Sequence, residues 1–467
     1  MIFVIAEDRH KSEGKGEEDM KFETTYQLED YILNTRWEEL PEEVQRRAVD
    51  CGIDLMVALI LGSRGEQFQN GKRLAEYVKP GNLEIPGCQD RFSFLGAVFA
   101  MGHASNSFDI DDGHNMIKGH PGTSFIAGIM AAGLEKDVTY REYLTTLVVA
   151  YDTAVRMGVA LQDFYGFLHS TGTYGAVGTA AGIGRLFGFT REQMNTAISM
   201  AEFHAPITPV MRAVQYPSMN KDGVPFGAMV GALAALDTLA GESARTHLLE
   251  MDRYASLNAS LGSIYEIMNL YFKPYTCCRW AHQPIQACIE IMREKNLQAE
   301  EIEHVTVHTF DSAAQLSKIV PHETDEAQYN IAYPVAAAII HGDVGYRQIN
   351  NRAIGNPRVL DMMKRLSFVV DEEMNRQFPE KRLAWVEIMM KDGMAYKTRV
   401  YSASGEASDH IDHDWIVRKF NRIMDPFLSE SGKLQVLALL TEEPERKLRE
   451  VIAGINQALE NCGKINE

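Results

Sequence analysis

A chain of 467 residues with 45% hydrophobic and 24% charged residues has the composition of a folded globular protein, and its length is too great for one compact core, so two domains are expected. A formal net charge of -18, from 46 Lys and Arg against 64 Asp and Glu, repels phosphate backbones and anionic lipid, which argues against nucleic acid and membrane surfaces as partners. Six cysteines without a CxxC pair offer neither a zinc ribbon nor a disulfide framework and suit a reducing cytoplasm, the expected location.

Residues 1–22 open on a few apolar side chains broken by Glu7, Asp8 and Arg9, then turn charged and Gly-containing. A disordered tail, or an upstream start ahead of Met20, is expected there, not a secretory signal. No apolar run reaches the roughly 18 residues of a membrane helix. From Tyr26 to about residue 270 apolar residues recur at three and four, so nearly every segment reads as helix. Pro41, Glu42 and Glu43 start one such helix, which runs through Ala48, Ile53, Leu55, Met56 and Leu59 to a stop at Gly62. Thr139 with Glu142, and Thr190 with Gln193, have capping-box spacing. The text TGTYGAVGTAAGIGRLFG over 171–188 lacks the preceding strand of a dinucleotide fingerprint. Its small residues, like those of 225–239, read as surfaces where buried helices approach closely.

The pattern changes after Tyr271. Val305 and Val307 alternate with Thr306 and His308, Leu366–Val370 is a short apolar run, and 386–390 and 396–401 flank the hairpin signal Asp392-Gly393. Helices over 283–295 and 332–341 lie between these strands, and 415–459 turns helical again. The expected fold is mainly α. A helical domain over 23–270 is completed by C-terminal helices over 409–467 that pack back on it, with an α+β domain inserted over 271–408.

Four polar islands interrupt this scaffold. The first runs from His103 through Asp109, Asp111, Asp112 and His114 to His120-Pro-Gly, with carboxylates beside imidazoles, the pairing that holds a His tautomer and tunes its pKa toward neutrality. A solvated loop whose Asp residues cap the next helix is the plainer explanation. The second, His169-Ser-Thr-Gly, stands at a helix start that suits a carboxylate, although a structural His is equally consistent. The third is YPSMNKDG with Lys221. The fourth, FKPYTCCRWAH, sets Lys273, Arg279 and His282 where the domain type changes, a favoured place for a ligand cleft. Asp109, Asp111, Asp112, His114 and His120 could instead be metal ligands, since carboxylate and imidazole suit Mg, Mn, Fe or Zn. The Lys and His islands add positive charge where a metal would want more oxygen ligands. A third alternative is a non-catalytic binding protein.

Taken in order, these islands resemble the MmgE/PrpD family, whose members include 2-methylcitrate dehydratase, cis-aconitate decarboxylase and iminodisuccinate epimerase. The resemblance covers residues 30 to 420 and is carried by SFDIDDGHNMIKGHPGTS, HSTGTYGAVGTAAGIGRLFG, YPSMNKDGVPFGAMVGALAAL, FKPYTCCRWAHQPIQA and EAQYNIAYPVAAAIIHGD. It implies a helical domain built from both chain ends, an α+β lid between them, a homodimer, and no metal or organic cofactor. The expected activity is a hydro-lyase of the 2-methylcitrate dehydratase kind on a small di- or tricarboxylate, with decarboxylation or epimerisation as alternatives. Family positions fall on Asp109, His120, His169 and Lys221 as catalytic residues, and on Lys273, His282 and Tyr333 as substrate contacts; Arg279 and His114 join the contacts from the islands themselves. His120, oriented by Asp109, would exchange the proton, His169 would serve as acid, and Lys221, Lys273 and Arg279 would hold carboxylates. Gly113 stands where the dehydratase and decarboxylase branches usually carry Thr, so a hydroxyl of those branches is missing here.

Overall fold

The structure, a computed structural model, describes residues 21–212 and 221–462. Most of the expected tail, and Tyr216–Asn220 of the third island, lie outside them. Lys21 and Glu23 already pair with the 250–252 turn, the Glu23 N–H donating to Glu250 O at 2.9 Å.

The fold is mainly α with a small sheet region. Helix Tyr140–Tyr165 runs through the middle of the first domain, started by Thr139, whose Oγ1 accepts from Glu142 N–H, and stopped by Gly166 at φ 77. Buried on nearly every face, it is a core helix and not an amphipathic one. The capping box expected at Thr190 and Gln193 is complete. At Thr139 only half of it forms, because the Glu142 carboxylate is taken by Arg185 Nε at 2.8 Å. Around this axis pack helices Pro121–Lys136 and Gly172–Phe187, and helix Val224–Ala240 packs in turn on both of them. Their Gly/Ala text is indeed a crossing surface: a Cβ on Gly172 would lie 2.2 Å from Gly223 O, and one on Gly231 the same distance from Ala176 O. Helix Glu42–Gly62 forms where Pro41 and Gly62 place it, Gly62 lying against Ala104 of helix Phe94–Ser105.

Helices His413–Met424, Glu430–Thr441 and Leu448–Asn461 return to this body. Lys419 donates to Ile110 O at 2.7 Å, and Leu448 N–H to Val138 O at 2.9 Å. Residues between 28 and 272 and between 411 and 459 accordingly share one hydrophobic core, while residues between 277 and 401 form a second.

The second core lies against a sheet ordered Leu366–Val370, Ile302–Thr309, Leu383–Met390, Ala395–Lys397. Ile302–Thr309 runs parallel to the first of these, with Val305 opposite Leu366, and antiparallel to the third, with Val307 opposite Val386. The strand expected over 396–401 is split into Ala395–Lys397 and Tyr401–Ser402. Thr398 causes the break: its side-chain Oγ1, not a backbone carbonyl, accepts Val386 N–H at 2.9 Å. One ribbon carries no period-two signal because it is two residues long, yet it positions everything that follows. Gly113–His114 pairs antiparallel with Leu270–Tyr271, Gly113 opposite Tyr271.

Candidate active site

That ribbon joins two distant polar islands. Past helix Phe94–Ser105 the chain turns sharply, Asp109 adopting φ 52, a left-handed conformation that a non-glycine residue holds only under constraint. Asn106 Nδ2 donates to Asp111 Oδ1 at 2.9 Å and fixes the acidic run. The hairpin then closes through His114 N–H to Gly119 O at 2.9 Å, delivering His120 to the start of helix Pro121–Lys136. On the opposite strand the chain runs two residues past Tyr271 to Lys273.

Lys273 and the first island meet there. Its ammonium, fully buried, lies 3.0 Å from Asp109 Oδ1, 3.6 Å from Asp111 Oδ1 and 3.1 Å from His120 Nδ1. The same Nδ1 is 3.1 Å from Asp111 Oδ2 and from Asp112 O. The nearest carboxylate to the ring is therefore Asp111, not Asp109, because Asp109 Oδ1 is drawn to Lys273 and stands 3.8 Å from Nε2. Asp222 Oδ2 is also 3.8 Å from Nε2. The imidazole side chain is 12% exposed against 2% or less for Asp109, Asp111 and Lys273, and its Nε2 makes no hydrogen bond among the described residues. A small group seated at Nε2 would touch all three of His120, Asp109 and Asp222.

The charges are mutually supporting. Burial works against the Asp111 carboxylate, yet Lys273 and His120 hold its pKa well below the usual range. Burial and Lys273 press His120 down, and Asp111 and Asp109 more than reverse this, leaving its pKa above the ordinary value. Lys273, despite its burial, is held above the usual lysine range by Asp109 and Asp111. Asp112 differs from its neighbours: burial pushes its carboxyl up to about 7, although it accepts from Tyr151 Oη and from Gly122 N–H.

Asp112 has a stability consequence. Its unfolded carboxyl ionises near pH 3.9, so between about pH 4 and 7 the native state holds a proton that the unfolded state has released, and stability falls as pH rises through that window. Asp112→Asn keeps the shape of the neutral acid and should remove that slope, on the order of a few kcal/mol. Urea midpoints at pH 5 and pH 8 should differ less in the variant than in the wild type; an equal difference in both would refute the assignment.

Asp109, Asp111 and His120 offer ligand atoms within 4.8 Å of one another, the types a divalent cation takes. The Lys273 ammonium already stands among them, and a cation added there would meet like charge at short range. The donor set therefore fits an internal ion pair better than a metal.

The other expected site residues have their own partners. Lys221, at φ 42, pairs with Asp325 Oδ1 at 3.2 Å and donates to Gln328 Oε1, tying the first domain to the second at the rim of the cluster. His169 is a step removed: Thr171 Oγ1 accepts His120 N–H at 3.2 Å, whereas His169 Nε2 faces Leu161 O at 3.3 Å and Nδ1 has no hydrogen-bond partner among the described residues. Burial lowers its pKa, against the raising effect of the Leu161 carbonyl. Arg279 donates to Ser404 O, Ala403 O and Glu406 Oε1 at 2.9, 3.1 and 2.7 Å. His282 Nε2 faces Cys277 O at 2.9 Å, and burial with nearby Arg279 puts its pKa well below the usual value. The Tyr333 hydroxyl donates to Gln348 O and Ala353 O at 2.9 and 3.1 Å, inside the second core. His114 Nε2 is 3.2 Å from Glu266 Oε2, turned away from His120. Asp109, His120 and Lys273 are thus in direct contact, Lys221 borders them, and the contacts of Arg279, His282, Tyr333 and His114 lead elsewhere.

Thr171 and Asp222 lie inside the second and third islands without a role of their own assigned from the sequence, and Tyr329 lies in the stretch EAQYNIAYPVAAAIIHGD. At Gly113 a Cβ would fall 2.1 Å from Cζ of Tyr271, whose ring lies under Arg279 and Arg382 at 5.1 and 5.5 Å. The Tyr271 phenol fills the space a threonine side chain would need.

An imidazole with one nitrogen open, flanked by carboxylates and an ammonium at the junction of a helical and an α+β domain, is an arrangement suited to acid–base chemistry. The chain matches the MmgE/PrpD N-terminal domain over residues 26–261 and the MmgE/PrpD C-terminal domain over residues 275–443, and it belongs to the MmgE/PrpD family. It is 21% identical over 395 residues to the cis-aconitate decarboxylase-like protein oryM of Aspergillus oryzae, covering 75% of this chain and 80% of that one. It is also 21% identical over 447 residues to a cis-aconitate decarboxylase of Aspergillus terreus, covering 86% and 89%. Family and relatives support a lyase at that coarse level.

Proposed function

We propose that the protein is a cofactor-independent lyase that moves a proton at a carbon next to a carboxylate of a small di- or tricarboxylate. The observation that carries this reading is the open Nε2 of His120, flanked at 3.8 Å by Asp109 and Asp222 while Nδ1 is held by Asp111 and Asp112 O. With the proton of the neutral ring on Nδ1, Nε2 presents its lone pair to the substrate. Removing a proton beside a carboxylate leaves charge that spreads onto that carboxylate, and the Lys273 ammonium at the cluster centre lowers the cost. Lys221 supplies a second cation at the rim, released toward a substrate carboxylate when Asp325 gives way.

Dehydration, as in the 2-methylcitrate branch, uses this arrangement with a hydroxyl as leaving group. Decarboxylation is favoured by the names of the relatives, both cis-aconitate decarboxylase or like it. NMR in D2O with 2-methylcitrate, citrate, cis-aconitate and amino- or imino-dicarboxylates separates the two: an alkene with loss of water for one, loss of carbon dioxide for the other. Deuterium uptake without net conversion would indicate epimerisation, and no change in any acid would refute the reading.

We further propose a homodimer. Helix Val224–Ala240 leaves Phe226, Leu233 and Leu239 at 52, 44 and 49% exposure, with Phe203 at 79%, an apolar face that solvent disfavours. Sedimentation should give twice the chain mass, and Phe226→Glu with Leu233→Glu should halve it; a monomeric wild type would overturn the proposal.

A further inference from the structure

Asp222 lies in a turn that points it inward. Lys221, Asp222 and Gly223 all have positive φ, at 42, 52 and 71°, and two of the three are not glycine, a strained stretch that persists only when its surroundings hold it. The result is a carboxyl only 6% exposed. Its Oδ2 flanks the open nitrogen of His120, and its Oδ1 has no hydrogen-bond partner among the described residues. The groups that face it electrostatically are His120, Asp109, Lys221 and Lys273, with Tyr174 from helix Gly172–Phe187, and Tyr329 and Cys278 from the second domain. The Tyr329 hydroxyl is likewise buried and has no hydrogen-bond partner among the described residues. Leaving a buried carboxylate oxygen unpaired is costly unless the group is neutral or awaits a ligand.

We propose that Asp222 is a second catalytic proton-transfer residue, which in its neutral form delivers a proton to the substrate beside His120. The inference rests on the acid–base reading above and adds the donor that reading lacks, because His169 faces Leu161. In a dehydration, the substrate C–H bond breaks as N–H forms at His120 Nε2, and its electron pair becomes the new C=C bond. The C–O bond breaks, and the hydroxyl leaves as water with the Asp222 proton. His120 is then protonated and Asp222 ionised, and the proton returns from Nε2 to Oδ2 through one water, restoring both. In a decarboxylation, the C–C bond breaks, carbon dioxide departs, and the electron pair left on carbon takes the Asp222 proton, which solvent replaces. Burial raises the Asp222 carboxyl above its usual range; His120 opposes this, Asp109 adds to it, and Lys221 and Lys273 oppose it.

Asp222→Asn tests the assignment, since the amide keeps the shape and cannot carry the proton. Infrared difference spectra of the resting protein near neutral pH, wild type minus variant, should show a protonated-carboxyl band that the variant lacks. Absence of that band overturns the proposal, whatever the substrate. On the acid converted in the NMR screen, the variant should lose at least about 100-fold in kcat and lose the alkaline limb of its pH profile, while deuterium exchange through His120 persists. Turnover within about three-fold and an unchanged pH profile would overturn the proposal. His120→Ala, in contrast, should lose conversion and exchange together. A wild type that shows the band but converts no acid would remove the reaction assigned above and still support a proton held at Asp222.

Discussion

Replacing His120 with alanine is expected to lower turnover about 100- to 10,000-fold, the usual contribution of a positioned acid or base, while the protein stays folded. The fold survives because both buried carboxylates keep a cation without the ring: Lys273 still contacts Asp109 Oδ1 at 3.0 Å and Asp111 Oδ1 at 3.6 Å. Circular dichroism and the melting temperature should be close to wild type, so the loss can be assigned to chemistry. The pH profile adds a second readout. If neutral His120 is the base, activity rises with pH through its pKa, which Asp111 and Asp109 hold above the ordinary histidine value despite burial and Lys273. Asp111→Asn removes a negative charge 3.1 Å from Nδ1, so the rising limb should move to lower pH. A limb that stays in place, or a His120→Ala enzyme within a few-fold of wild type, would remove His120 from the reaction.

The sequence disclosed the scaffold where periodicity is long. The Glu42–Gly62 and Tyr140–Tyr165 helices carry their own start and stop residues, and the Gly/Ala stretch at 172–187 reveals close helix crossing because only small side chains permit it. The return of the C-terminal helices was legible for the same reason. What escaped were contacts set by distance and not by repeat. Two residues of ribbon at Gly113–His114 and Leu270–Tyr271 are too short for any pattern, yet they bring Lys273 to Asp109 across a separation of 164 residues. The acidic run announced a site, but three neighbouring carboxylates cannot be ranked by spacing. Lys273 takes Asp109, Asp111 turns to His120, and Asp112 turns to Tyr151, its pKa raised by burial. Lys221 and Tyr333 entered through the family resemblance and not through residue type, and spacing gave no sign that their partners would lie in the domain junction and the second core.

Lys273→Met should be the most damaging single change outside the imidazole, and it should damage stability and chemistry together. The thioether chain fills the same volume but leaves Asp109 and Asp111, 2% and 0% exposed, without the ammonium that neutralises them. Breaking a buried pair from one side typically costs about 3–5 kcal/mol, so a clear fall in the urea midpoint at neutral pH is expected. The pH dependence has a definite sign. Lys273 and His120 depress the Asp111 pKa, so the stabilisation is present above the unfolded carboxyl value and is lost as pH falls toward the native one. The gap between wild type and variant should therefore close in acid. Turnover should fall by at least about 100-fold, because the charge that develops on the substrate carboxylate loses its central cation. The double variant Asp109→Asn with Lys273→Met separates the two roles. Removing one orphaned carboxylate should return much of the lost stability, while turnover stays low. If the double variant regains activity with stability, Lys273 is a structural counter-ion alone, and the electrostatic part of the mechanism must come from Lys221.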